Sequence, residues 1–202
     1  MPRYDAILFD FDGVLLDSEP LHCACWAEVL APFGIKLAWE EYRRRYAGVD
    51  DRIMLQALAS EARPPLPWET LWTKYEEKRE LFRKRIQDPE FSPALPSLLD
   101  RLHGEYKLAV VSSSSRMEIE PPLEVRNLRR YFRTLVCGGD VRRIKPAPDP
   151  YLLAARLLDA QTPLVVEDSA AGVASARAAG FPVLQVHSAA EMPGLLLTCL
   201  SG

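Results

Sequence analysis

Short apolar runs that stop abruptly at polar residues punctuate the chain. Ala6–Phe9 ends at Asp10, and comparable runs occupy residues 108–111, 135–136 and 164–166. Each is apolar at consecutive rather than alternate positions, the pattern of a strand buried on both faces. A last run, 183–186, follows the Gly180-Phe181-Pro182 break. Between the runs the period becomes helical: residues 150–159 carry Leu152, Leu153, Leu157 and Leu158, and the alanine-rich stretch 170–179 is ended by Gly180. Strands alternating with helices predict an α/β fold, a Rossmann-like parallel sheet wound on both faces.

Residues 19–86 read differently. They hold most of the tryptophans, many charged side chains and no short apolar strand run, and they predict helices over 19–31, 39–46, 51–62 and 67–87, with breaks at Pro64-Pro65 and Asp88-Pro89. The expected organisation is a core of residues 1–17 and 92–202, with a helical domain, 18–91, inserted after the first strand and a proline-rich return linker over 88–96. The Arg43-Arg44-Arg45 run reads as a solvated face. Pro121-Pro122 fall inside the helix expected after the 108–111 strand and predict that it is broken or rearranged.

Composition narrows the classes without naming a function. With 202 residues, 48% of them hydrophobic and 26% charged, the chain suits one good core plus a smaller appendage, which excludes disordered and fibrous classes. A formal charge of -3 gives no net attraction for nucleic acid or an anionic membrane, so an anionic ligand must be held by a local site. Cys23, Cys25, Cys137 and Cys199 lack the paired spacing of a zinc site and read as reduced thiols. No apolar run reaches signal-peptide or membrane-span length. The expectation is a cytoplasmic protein, a monomer or weak homo-oligomer, acting on a small molecule.

Ligands of open parallel sheets bind beyond the carboxyl ends of the strands. The polar residues there form one set: Asp10 and Asp12 after the first run, Ser112 and Ser113 after the second, Lys145 beyond the third, Glu167 and Asp168 after the fourth. So many carboxylates in one small site raise each other's pKa and call for a counter-charge. Oxygen donors alone favour a hard divalent ion, magnesium (Mg2+), and Lys145 and the serines suit phosphate oxygens.

The segments DFDGVLLDSE, LAVVSS, KPAPDP and VVEDSAAG resemble, in order and over nearly the whole chain, the four motifs of the haloacid dehalogenase superfamily. The helical insertion resembles the cap of its β-phosphoglucomutase and sugar-phosphatase branch. The resemblance implies a phosphatase in which Asp10 is the nucleophile, forming an aspartyl-phosphate, and Asp12 the general acid and base. It implies magnesium ligands in the Asp10 side chain, the Asp12 carbonyl and Asp168, with Glu167 a further ligand or held through water. Ser112 and the Ser113 N–H would hold phosphate oxygens, and Lys145 would offset the charge of Asp10 and of the transferring group. Haloacid dehalogenases lack a carboxylate at the Asp12 position and ion-pumping ATPases have threonine there, so phosphate esters are favoured over both.

In the cap, His22 with Trp26 resembles an H-x-x-x-W pattern of that branch, Lys78 a lysine that meets substrate phosphate, and Arg52, just after Gly48-Val49, a mutase arginine shifted by one position. The substrate implied is a sugar or sugar-acid phosphate, under a cap that closes over the site. A β-phosphoglucomutase is the nearest alternative. A non-catalytic sensor of the same ligands is a remote one, since such a protein could dispense with Asp10, Asp12 or Lys145.

Overall fold

All the apolar runs form strands. A computed structural model describes residues 3–47, 49–87 and 89–202; Gly48 and Asp88, at two of the positions singled out above, lie outside the described residues. In chain order the elements are β1 (Ala6–Phe9), α1 (Glu19–Leu30), α2 (Trp39–Arg45), α3 (Asp51–Glu61), α4 (Trp68–Trp72), α5 (Tyr75–Arg85), α6 (Leu95–His103), β2 (Lys107–Val111), α7 (Arg116–Val125), β3 (Thr134–Val136), α8 (Asp149–Leu158), β4 (Pro163–Glu167), α9 (Ala170–Ala178), β5 (Val183–Gln185) and α10 (Met192–Ser201). The strands form one parallel five-stranded sheet of order β3-β2-β1-β4-β5. The chain runs outward from β1 through β2 and β3, then returns to the other side of β1 with β4. That reversal places the switch point of a doubly wound sheet between β1 and β4, where ligands of such sheets bind beyond the carboxyl ends.

Every residue of β1 and β4 is buried, as consecutive apolar positions require of strands covered on both faces. On one face Ala6, Leu8, Ala109, Val111 and Val165 pack with Tyr151, Ala154 and Leu158 of α8 and with Ala176 of α9. The α8 stripe differs from the expected one: Leu152 and Leu157 are exposed, while Tyr151, Ala154 and Ala155 join Leu158 inside. Small residues let α8 approach the sheet closely, and an aromatic ring fills the gap they leave.

The described residues divide into two compact units, one reaching Asp17 and resuming over Gln87–Gly202, the other Ser18–Ile86. Pro89 and Phe91, assigned by sequence to the insertion, belong with the first unit. Arg126 Nε donates to the Pro89 carbonyl at 3.0 Å, and the Phe91 ring meets Phe11 edge-on with centroids 6.3 Å apart.

The second unit has an apolar core of its own, built from Trp26, Val29 and Leu30 of α1, Tyr42 of α2, Met54, Leu55 and Leu58 of α3 and Leu71 of α4. The single helix expected over 67–87 is two. Thr73 Oγ1 donates to the Thr70 carbonyl at 2.7 Å, an alternative to the helical ladder, and Trp72 stacks on Tyr75 with ring centroids 4.4 Å apart across the junction. Pro121 and Pro122, by contrast, do not break α7. They remove two backbone donors, but Ser115 N and Oγ both bond Glu118 Oε2, at 3.0 and 2.7 Å, and Ile119, Pro122 and Leu123 are buried. One capped end and one buried face outweigh the missing bonds. The helix α10, after the last strand, had no counterpart in the sequence reading.

Candidate active site

The turn after β1 brings its two aspartates to the sheet edge. Asp10 N still donates to the Val166 carbonyl, 2.9 Å away, so Asp10 is pinned by the strand register, and the residue is 7% exposed. The chain then folds back: Gly13 N donates to the Leu16 carbonyl, while Phe11, Val14 and Leu15 are fully buried beneath. Gly13 has φ +79°, and a Cβ there would lie 2.1 Å from Asp168 Oδ2, so glycine is required for both backbone and space.

Lys145 binds the set together. Its Nζ donates to Asp10 Oδ1 at 2.6 Å, to Glu167 Oε1 at 2.6 Å and to the Val111 carbonyl at 2.9 Å, which uses all three ammonium donors. Glu167 is fully buried. Its Oε1 also accepts from the Tyr151 hydroxyl at 2.7 Å, and its Oε2 accepts from Asp168 N, Ser169 N and Ser169 Oγ at 3.0 to 3.1 Å. The same Ser169 caps α9 by accepting from Gly172 N at 3.0 Å. A Cβ on Gly172 would stand 1.7 Å from Glu167 Oε1, so this helix start is shaped around the carboxylate.

Charge is unbalanced in this network. Burial, then the Glu167 charge, drives the Asp10 carboxyl well above its ordinary pKa range; Lys145 opposes the shift, and Asp168 and Asp12 reinforce it. Burial acts to lower the Lys145 pKa, but Asp10 and Glu167 outweigh it and hold the ammonium above its usual value. Burial and the neighbouring Glu167 raise the Tyr151 phenol well above its normal value, so it remains a donor. A single ammonium therefore faces several carboxylates. Asp10, Glu167 and Asp168 each present an oxygen within 4.8 Å of the others, a hard donor set suited to a divalent cation such as magnesium.

Asp12 stands at the mouth of the serine loop. Its Oδ2 accepts from Ser114 Oγ at 3.1 Å and lies 3.5 Å from Ser112 Oγ, which itself accepts from Ser114 N at 3.0 Å. The core residues anticipated from sequence thus meet at one edge of the sheet; Ser113, expected to act through its backbone N–H, is exposed. Two residues escaped the sequence reading. Ser114 is hidden in a run of identical residues, and Tyr151 is not among the positions singled out in its helix. Burial raises the Cys23 and Cys25 thiols and pushes Cys137 up to about 11, which disfavours their thiolate forms.

The cap residues form a second polar cluster within their own unit. Lys78, 3% exposed, has Nζ 2.8 Å from His22 Nδ1 and 3.8 Å from Asp51 Oδ2, and Asp51 Oδ1 accepts from Trp26 Nε1 at 2.9 Å. His22 stacks on Phe82 with centroids 4.0 Å apart. Arg52 lies outside this cluster, its guanidinium 4.9 Å above the Trp72 ring.

A family model for haloacid dehalogenase-like hydrolases matches residues 7–186, a span holding every site residue described above. The chain belongs to the haloacid dehalogenase-like hydrolase family. Among curated members, it is 32% identical over 187 residues to the fructose-1-phosphate phosphatase YqaB of Escherichia coli, covering 92% of this chain and 97% of that protein. It is 31% identical to a phosphorylated carbohydrates phosphatase of Thermotoga maritima, covering 95% and 90%. The crystal structure of CbbY from Rhodobacter sphaeroides in complex with phosphate superposes with a TM-score of 0.74 at 25% identity, covering 94% of this chain and 96% of that one. The β-phosphoglucomutase of Clostridium difficile, at 20% identity and a TM-score of 0.78 over 97% and 96%, shares the fold. This member of the family is therefore an enzyme, a hydrolase on a Rossmann-like α/β core.

Proposed function

We propose that this hydrolase is a magnesium-dependent phosphatase that cleaves a small phosphorylated metabolite, a sugar or sugar-acid phosphate, through an aspartyl-phosphate on Asp10. The observation that carries the reading is the pairing of Asp10, gripped by Lys145, with Asp12, gripped by the serine loop, at one sheet edge. In the first step Asp10 attacks phosphorus while Asp12 gives its proton to the departing sugar oxygen. In the second Asp12, now a carboxylate, takes a proton from water as that water attacks phosphorus; phosphate leaves and both aspartates return to their starting states. Ser112 Oγ and Ser113 N–H hold phosphate oxygens, and Lys145 offsets the charge of Asp10 and the transferring group. Asp10, Asp168 and the Asp12 carbonyl hold magnesium, Glu167 completing the acidic set; when bound, the ion supplies positive charge beside the transferring phosphoryl group.

The phosphatase names of the 32% and 31% identical relatives support a sugar phosphate as substrate. In the cap, His22, Lys78 and Arg52 are assigned to recognising the part of the substrate that is not transferred. The free cysteines Cys23, Cys25, Cys137 and Cys199 suit a reducing, cytoplasmic setting for a monomer or weak homo-oligomer, and no helix among the described residues is long and apolar enough to cross a membrane.

A screen of phosphorylated metabolites with magnesium, using Asp10→Asn as control, tests the reading. Phosphate release that survives in the variant overturns it. The Lys78–His22 contact also suits a β-phosphoglucomutase. Glucose 6-phosphate formed from β-glucose 1-phosphate and a trace of the 1,6-bisphosphate, without phosphate release, would select that alternative.

A further inference from the structure

Ser114 has three bonded groups, and each ties the serine loop to a different neighbour. Its N–H donates to Ser112 Oγ at 3.0 Å, its carbonyl accepts from Gly138 N at 3.0 Å, and its hydroxyl donates to Asp12 Oδ2 at 3.1 Å. The first two bonds fix the backbone of Ser114, so the third is made by a hydroxyl that the fold holds in place. Ser112 is the poorer partner for Asp12. Its hydroxyl lies 3.5 Å from Oδ2, at the limit of a hydrogen bond, and is assigned above to phosphate.

We propose that Ser114 is the positioning residue of the general acid and base, holding the Asp12 carboxyl group in register for proton transfer while Ser112 serves the phosphate. The assignment rests on the phosphatase reading above and goes beyond it, since neither the motif comparison nor that reading gives Ser114 a role. A carboxyl that must deliver a proton in one step and collect one in the next has to be near the same line of approach both times. General acid–base catalysis contributes about 10² to 10⁴ in rate, and misorientation of the acid forfeits part of it.

Ser114→Ala keeps both backbone bonds and deletes only the hydroxyl. The expected result is a fall in kcat of about 10- to 100-fold on a sugar phosphate with KM changed less than about threefold, and rescue in Ser114→Thr. p-Nitrophenyl phosphate supplies the readout that a loosened loop cannot imitate. Its leaving group departs without protonation, so in rapid-mixing experiments Ser114→Ala should release the first equivalent of p-nitrophenol at the wild-type rate. Later turnovers, which need Asp12 as base, should be slow. A burst slowed as much as the steady state makes Ser114 a structural residue and overturns the proposal, as does a raised KM with unchanged kcat, which would mark a substrate contact. If Ser114→Ala fails to fold, Ser114→Thr still decides: wild-type kcat supports the role of the hydroxyl, and a fall in kcat in a folded Thr variant contradicts it. Asp10→Asn run alongside separates the two levels, because activity surviving there removes the phosphatase mechanism itself rather than the place of Ser114 in it.

Discussion

Each unit buries the side chain of one lysine, and the two sit in opposite settings. In the core, Lys145 spends all three donors on Asp10, Glu167 and the Val111 carbonyl, with its ammonium 5.0 Å from the centre of the Tyr151 ring. In the cap, the Lys78 ammonium makes one hydrogen bond among the described residues, to His22, with a single carboxylate at the longer distance of 3.8 Å and the rings of Trp26 and Phe82 beside it. A saturated ammonium among carboxylates is a fixed counter-charge. An ammonium with donors in hand is equipped to meet a ligand. The difference separates chemistry, assigned to the core, from selection, assigned to the cap.

The largest expected effect comes from the core. Asp10→Asn should lower kcat by about four orders of magnitude or more on sugar phosphates and p-nitrophenyl phosphate alike, with the thermal midpoint retained. Chelation by EDTA should likewise stop turnover on every substrate, and added magnesium should restore it; activity that persists after exhaustive chelation would remove the metal from the account.

Lys145→Met comes next, with a kcat loss of about 10²- to 10³-fold and, because it leaves buried carboxylates without their partner, a stability loss of about 3–5 kcal/mol in urea unfolding. The folded-state pKa of Lys145 is raised, so its stabilisation is fully present below the ordinary lysine value of about 10.4 and is lost as pH climbs through the folded value. The gap between wild type and variant should therefore be flat near neutral pH and close in strong alkali.

Lys78→Met should break the symmetry between substrates. KM for the preferred sugar phosphate is expected to rise about 10- to 100-fold, the worth of one charge-assisted hydrogen bond, while p-nitrophenyl phosphate turnover changes by less than about threefold. Equal losses on both would collapse the division between core and cap. Tyr151→Phe is the smallest change: about 1–3 kcal/mol of stability from the lost bond to Glu167, with kcat altered only a few-fold.

The core was legible because its signals are local. An apolar strand that stops at Asp10, or at Glu167, states both the burial and the sheet edge within a few residues. Other features depend on partners distant in sequence. Nothing in the sequence around Tyr151 points to Glu167, which lies 2.7 Å from its hydroxyl and sixteen residues on. Ser114 is chemically identical to its three neighbours in the run, and only the fold turns its hydroxyl toward Asp12, 102 residues away. In the cap, Lys78 lies on a highly charged helix whose pattern suggests water, yet the rings of Trp26 and Phe82 close over it. The proline pair in α7 misleads the other way, because a local rule for breaking helices is outweighed by one capped end and one buried face of a short element.

Trapping the covalent intermediate reads the nucleophile directly. With the enzyme quenched during turnover of a sugar phosphate and reduced by borohydride, an aspartyl-phosphate is converted to homoserine, which peptide mass spectrometry locates. The expected outcome is homoserine at position 10 alone, dependent on substrate and magnesium. Reduction at another carboxylate, or none in an enzyme that is releasing phosphate, would contradict the assignment of Asp10.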